Sequence, residues 1–136
     1  MFLFKNYIGG EKMILVVGGA GYIGSHLVKE LVETKKVLIL DNLSTGYESL
    51  IDSRAKFVQG SLGNQETLNN IFETNSIEAV MHFAANSLVG ESVQDPYKYY
   101  ENNVSATITL LNTMLKHGVK NFSFFFNCSD LWNTGD

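Results

Sequence analysis

Met13-Ile14-Leu15-Val16-Val17-Gly18-Gly19-Ala20-Gly21-Tyr22-Ile23-Gly24 is the stretch that decides the fold. Five apolar residues run without a polar break and stop at glycines. A strand exposed to water on one face would alternate apolar with polar, so this one reads as buried on both faces, as in a parallel sheet. Ile23, Leu27 and Leu31 then recur at helical spacing, with Val28 and Val32 beside them, and a helix comes next. Between strand and helix the glycines fit G-x-x-G-x-x-G from Gly18 and G-x-G-x-x-G from Gly19. Such a turn lets backbone N–H groups approach a pyrophosphate, and the helix N-terminus adds partial positive charge. The candidate cofactor residues here are Gly18, Gly21, Tyr22, Ile23 and Gly24.

Working outward, Val37-Leu38-Ile39-Leu40 is a second buried strand that ends at Asp41, twenty residues after Gly21. An acid at that place accepts hydrogen bonds from ribose hydroxyls and repels a 2′-phosphate, which favours NAD over NADP. The plain alternative is an aspartate that only opens a turn. Lys56-Phe57-Val58-Gln59 reads as a third strand, and Leu68, Ile71 and Phe72 mark a second helix. Ala79 to Phe83 reads as a fourth strand. Val104, Ile108, Leu111 and Leu115 lie on a long helical stretch closed by His117-Gly118. Pro96 sits where that stretch begins, a position proline tolerates. Asn121 to Phe126 reads as a fifth strand. Strands alternating with helices imply an α/β fold, a Rossmann-like doubly wound parallel sheet of about five strands.

The 136 residues allow one domain, and 45% apolar with 18% charged residues is ordinary globular composition. A net charge of −4 without a basic run gives no case for nucleic acid. Cys128 is the only cysteine, which rules out an internal disulfide and fits the cytoplasm. No stretch approaches the roughly 20 apolar residues that span a bilayer. His26, His82 and His117 have no metal-ligand spacing, so no metal is expected. Tyr97, Tyr99 and Tyr100 are expected in the core.

GGAGYIGSH from Gly18 to His26, DNLSTG from Asp41, HFAA from His82, VGES from Val89 and PYKYYENNV from Pro96 stand in an ordered set. That set resembles the extended short-chain dehydrogenase/reductases, and within them the UDP-glucose 4-epimerase family, from Met13 to about Phe122. A fragment of a nucleotide-sugar 4,6-dehydratase is the alternative within the fold. A stand-alone NAD-binding module is the alternative outside catalysis. The resemblance implies NAD as cofactor, a UDP-sugar substrate and the option of a homodimer, without nucleic acid or membrane partners. It assigns Tyr22 and Ile23 to the pyrophosphate turn and Asp41 and Asn42 to the adenosine ribose, bordered by Leu43, Ser44 and Thr45. Phe83, Ala84 and Ala85 lie beneath the nicotinamide half, with Ser87 nearby, and Asn102 matches an asparagine near cofactor and sugar. Where the family carries an acid after the third strand, this chain reads Gly60-Ser61-Leu62-Gly63-Asn64. Ser61 can accept a hydrogen bond without charge, and Leu62 can pack on the adenine.

The family's chemistry moves a hydride from sugar C4 to NAD and returns it to the other face. A tyrosinate serves as base, a lysine four residues on lowers its pKa, and a Ser or Thr binds the reacting oxygen. No Tyr-x-x-x-Lys is present after the fifth strand here, so no catalytic residue is assigned. Read one base later, with synonymous codons, Ser123 to Asn133 can give V-F-S-S-T-A-A-T-Y-G, which is the missing block. The reading is therefore three segments. Residues 1–12 are a leader or a non-family extension, encoded in part by a run like a ribosome-binding site. Residues 13–122 are the NAD-binding domain. Residues 123–136 are a tail out of the family frame, and the substrate domain is absent.

Overall fold

The structure, a computed structural model, describes residues 10–84 and 94–125, without the side chains of Tyr99 and Asn102. The glycine-ended run forms β1 (Met13–Val17). It leads through the turn into α1 (Tyr22–Leu31), β2 (Lys36–Asp41) and a single 3₁₀ turn at Glu48–Leu50. Then come β3 (Lys56–Gln59), α2 (Gln65–Thr74) and β4 (Ile77–His82). The later helical stretch is α3 (Pro96–Tyr99), a π-helical turn (Tyr100–Ser105) and α4 (Ala106–Lys116), and it leads into β5 (Asn121–Phe124).

The strands order as β3-β2-β1-β4-β5, and every pair is parallel. The chain moves outward from β1 to β3, then returns across β1 to place β4 on its other side. The strand order thus reverses between β1 and β4, where a crevice opens at the carboxyl ends of the strands. Both faces of β1 are buried, as its unbroken apolar run requires. Ile14 and Val16 face one way and meet Val28 of α1 with Val37 and Ile39 of β2. Leu15 and Val17 face the other way, against Leu68 and Ile71 of α2 and Leu110 and Met114 of α4.

Local signals explain the helix ends. Asn64 caps α2 by accepting the Thr67 N–H at 3.1 Å. Asp95 accepts the Lys98 N–H at 3.2 Å, and Pro96 takes the first helical position of α3. After α4, Gly118 adopts φ 71° and the chain turns into β5. Gln65 donates to the buried Thr113 hydroxyl at 2.9 Å and ties α2 to α4.

Four expectations need correction. β4 begins at Ile77 and ends at His82, so Phe83 has left the strand, although its N–H still donates to the Val17 carbonyl at 2.7 Å. β5 stops at Phe124, and Phe126 lies outside the described residues. The buried stripe of α4 is Ala106, Leu110, Thr113 and Met114, whereas Val104, Ile108 and Leu115 are exposed. Two apolar stripes at helical spacing share α4, one through Ile108, Leu111 and Leu115 and one through Leu110 and Met114, and packing against β1 and α2 takes the second inward. Tyr97 and Tyr100 are likewise exposed, so neither is a core aromatic. No helix among the described residues is long and apolar enough to cross a membrane. No group of His, Cys, Asp or Glu among them could hold a metal ion.

Candidate cofactor site

The crevice is built from the carboxyl ends of β1, β2 and β3 and the segment after β4. Val17, Gly18 and Gly21 line its middle. Leu40, Asp41, Asn42, Ser44 and Thr45 line the β2 side, with Gly60 and Leu62 beyond them. Phe83 and Ala84 line the β4 side.

Gly18 is required twice over. Its φ is 83°, and a Cβ there would meet Ala84 N and Phe83 C at 2.8 Å. A side chain would push the β4 segment off the turn. Gly24, on the first turn of α1, faces the Gly18 carbonyl so closely that a Cβ would overlap it. These two glycines seat the helix N-terminus directly on the turn. Its first amides, which have no partner inside the helix, are thereby presented at the crevice. Gly21 precedes α1 in extended conformation and donates its N–H to the Gly18 carbonyl at 3.2 Å.

Asp41 is 8% exposed and occupies both oxygens. Oδ2 accepts the Ala20 N–H at 3.0 Å and Oδ1 accepts the Leu43 N–H at 2.8 Å. Each oxygen keeps a second lone pair, so the carboxylate can still accept from a vicinal diol. Asn42 holds the next turn by accepting the Ser44 N–H at 3.0 Å. Between them Leu43 takes φ 59°, an uncommon conformation for a non-glycine residue.

Of the other sequence-assigned residues, Leu62 is buried in the core and still borders the crevice. Ser61 is exposed and accepts the Gly63 N–H at 3.2 Å, so its hydroxyl serves the local turn and does not line the crevice. Tyr22 and Ile23 are exposed at the start of α1, and Tyr22 packs on the His26 ring at 4.7 Å between centroids. Ala85 and Ser87 lie outside the described residues. Asn102 falls in the π turn, and its side chain is not described.

The sequence reading missed His82. It is fully buried, and burial pushes its pKa down to about 4. The Ala84 N–H donates to Nδ1 at 3.1 Å, so Nε2 carries the proton and points at the Thr107 hydroxyl at 3.2 Å. A neutral imidazole thus pins the crevice-lining Ala84 to α4. The signal was present in the HFAA block, where a polar residue interrupts an apolar strand. Gly46 and Tyr47 were also missed, and they brace the Ala20 carbonyl, which accepts the Tyr47 N–H at 3.1 Å.

A parallel sheet with a strand-order reversal, a glycine turn on a helix N-terminus and an acid closing β2 define a Rossmann-type α/β unit. Residues 14–129 match the NAD dependent epimerase/dehydratase family, and the chain belongs to that family. It is 54% identical over 112 residues to a UDP-glucose 4-epimerase of Halalkalibacterium halodurans, covering 82% of this chain and 33% of that one. It is 42% identical over 137 residues to UDP-arabinose 4-epimerase 1 of Arabidopsis thaliana, covering 93% and 33%. Among solved structures, the UDP-glucose 4-epimerase from Brucella ovis in complex with NAD superposes with a TM-score of 0.79 at 44% identity, covering 83% and 35%. The chain therefore spans about a third of the length of the relatives it matches. No tyrosine anywhere in the chain has a lysine four residues later.

Proposed function

We propose that this chain is the NAD-binding part, residues 13–122, of a UDP-sugar 4-epimerase, and that by itself it binds NAD without catalysing epimerisation. The observation that carries the binding reading is the buried Asp41 carboxylate, held at the end of β2 beside the glycine turn. In this reading Asp41 and Asn42 take the adenosine ribose, with Leu43, Ser44 and Thr45 at its border. Gly18, Gly21, Tyr22, Ile23 and Gly24 receive the pyrophosphate. In the whole enzyme Phe83 and Ala84 underlie the nicotinamide half, with Ala85, Ser87 and Asn102 near it, and in the chain itself Leu62 packs toward the adenine. Ser61 is the weakest member, since its hydroxyl is turned to Gly63. The carboxylate of Asp41 selects NAD over NADP by repelling a 2′-phosphate.

When bound, NAD supplies a hydride acceptor that can return the hydride. The residues present bind and orient it. The proton at the sugar hydroxyl needs a base of the Tyr-x-x-x-Lys type, which this sequence does not contain. UDP-glucose is the favoured substrate class of the whole enzyme, supported by the 54% identity to a UDP-glucose 4-epimerase, and UDP-arabinose is the competitor. A homodimer of the whole enzyme and a cytoplasmic setting belong to the same reading. The lack of that tyrosine and lysine also favours a second reading, a stand-alone NAD-binding module.

Titration of the chain with NAD and NADP, together with a coupled UDP-galactose assay, tests the proposal. We expect NAD to bind more tightly than NADP and turnover to be absent. Loss of general acid–base catalysis alone removes a factor of about 10²–10⁴. Tighter binding of NADP, or measurable turnover, overturns it. Gene sequence around codons 120–136 separates the two readings, because epimerase sequence in a neighbouring frame excludes the module.

A further inference from the structure

The order of the strands orients any dinucleotide in this crevice. Asp41 receives a ribose at the end of β2, and the glycine turn after β1 receives the pyrophosphate. The order β2-β1-β4 then directs the second nucleoside toward the end of β4, where Phe83 stands. Phe83 carries a second aromatic ring. The Phe125 ring stacks on Phe83 with centroids 4.6 Å apart and planes 11° from parallel. The Phe125 N–H donates to the His82 carbonyl at 3.0 Å, which fixes the ring's backbone to β4. His82 is itself clamped to Ala84 and Thr107, so the pair rests on a rigid support. The enclosed space of the crevice is about 80 Å³. That is well below the roughly 300–1,000 Å³ of sites that engulf a whole ligand.

We infer that this chain recognises the ADP half of its dinucleotide, and that Phe125, stacked on Phe83, closes the place of the other nucleoside. The inference rests on the reading of the crevice as a dinucleotide site. It assigns the ligand class as adenosine 5′-diphosphates in general, with NAD bound through its ADP moiety and its nicotinamide riboside left in solvent. Phe125 is the selectivity residue. Aromatic stacking in this offset-parallel geometry must be broken before a nicotinamide ring can lie on Phe83.

Calorimetric titration of the 136-residue chain with NAD, ADP-ribose, ADP and nicotinamide mononucleotide tests this. The expected result is that NAD, ADP-ribose and ADP bind within about threefold of one another, while the mononucleotide fails to displace ADP. Phe125→Ser and Phe125→Leu both remove the stack, and the second keeps the site apolar should the first perturb the fold. Either one should raise the advantage of NAD over ADP-ribose to about tenfold. NAD binding about tenfold tighter than ADP-ribose in the unaltered chain overturns the inference and leaves the dinucleotide reading standing. So does displacement of ADP by the mononucleotide. An unchanged NAD to ADP-ribose ratio in both variants removes Phe125 from the account. Failure of every adenine ligand to bind sinks both readings together.

Discussion

The backbone N–H of Ala20 donates to Oδ2 of Asp41 at 3.0 Å, across 21 residues of sequence. The same carboxylate takes the Leu43 N–H, and the Ala20 carbonyl takes the Tyr47 N–H. Asp41 therefore stitches the glycine turn to the loop after β2 before any ligand arrives. Asp41→Ala leaves the buried Ala20 N–H without its acceptor, a loss of about 1–3 kcal/mol. We expect a lower melting temperature together with weaker NAD binding and poorer discrimination against NADP. Asp41→Asn keeps one acceptor oxygen and should fall between. Thermal melts with nucleotide titrations check this, and an unchanged melt in Asp41→Ala would refute the stitching role.

His82 makes stability depend on pH. Its folded pKa is lowered from 6.5 to about 4 by burial, so the unfolded chain binds the proton more readily. The stabilisation from the neutral imidazole is complete above about pH 6.5 and is lost as pH falls through 4. A shift of this size is worth about 3 kcal/mol at full extent. His82→Gln, which cannot charge, should flatten the slope between pH 4 and 6.5. Urea midpoints across that range decide the matter, and equal slopes in the two proteins would remove His82 as the cause.

Gly18 and Gly21 separate stability from binding. Ala at position 18 places a Cβ against the backbone of Phe83 and Ala84 and holds φ 83° at a cost. The expected loss is about 2–4 kcal/mol. Ala at position 21 meets nothing closer than the Gly18 oxygen at 3.4 Å, so the fold should tolerate it while the pyrophosphate loses access. Denaturant midpoints and NAD titration of Gly18→Ala and Gly21→Ala together test the contrast. Equal stability of the two variants would mean that the turn yields.

β5 is the outer strand of the sheet among the described residues, and Phe124, with Phe125 just past its end, is exposed. An uncharged, phenylalanine-rich outer strand favours association with another chain. We expect the 136-residue chain to self-associate with rising concentration, and Ser123→Lys, at an exposed position on that edge, to reduce this. A gene shifted by one base after codon 122 should yield a longer, soluble protein. Analytical ultracentrifugation of the chain, its variant and the repaired product reads the outcome. A monomer at every concentration would dispose of the edge-strand account.

Several features were legible in the residues alone because they depend on local order. The unbroken apolar runs at Met13–Val17 and Val37–Leu40, the glycine spacing and Asp41 at a strand end each report on neighbours a few residues away. They sufficed for a parallel sheet and for the place of the crevice at its strand ends. Pro96 and Gly118 marked helix ends for the same reason. What tertiary structure decided was which faces meet and which polar groups close on one another. α4 carries two apolar stripes at helical spacing, and packing took Leu110 and Met114 inward and left Ile108 outward, a choice that no periodicity count makes. His82 became a neutral clamp because folding brought Thr107 to its Nε2 across 25 positions. Phe125 reached Phe83 because β5 pairs with β4 in parallel register. Contacts between residues this distant in sequence arise only from packing, and packing chose the partners on which the crevice depends.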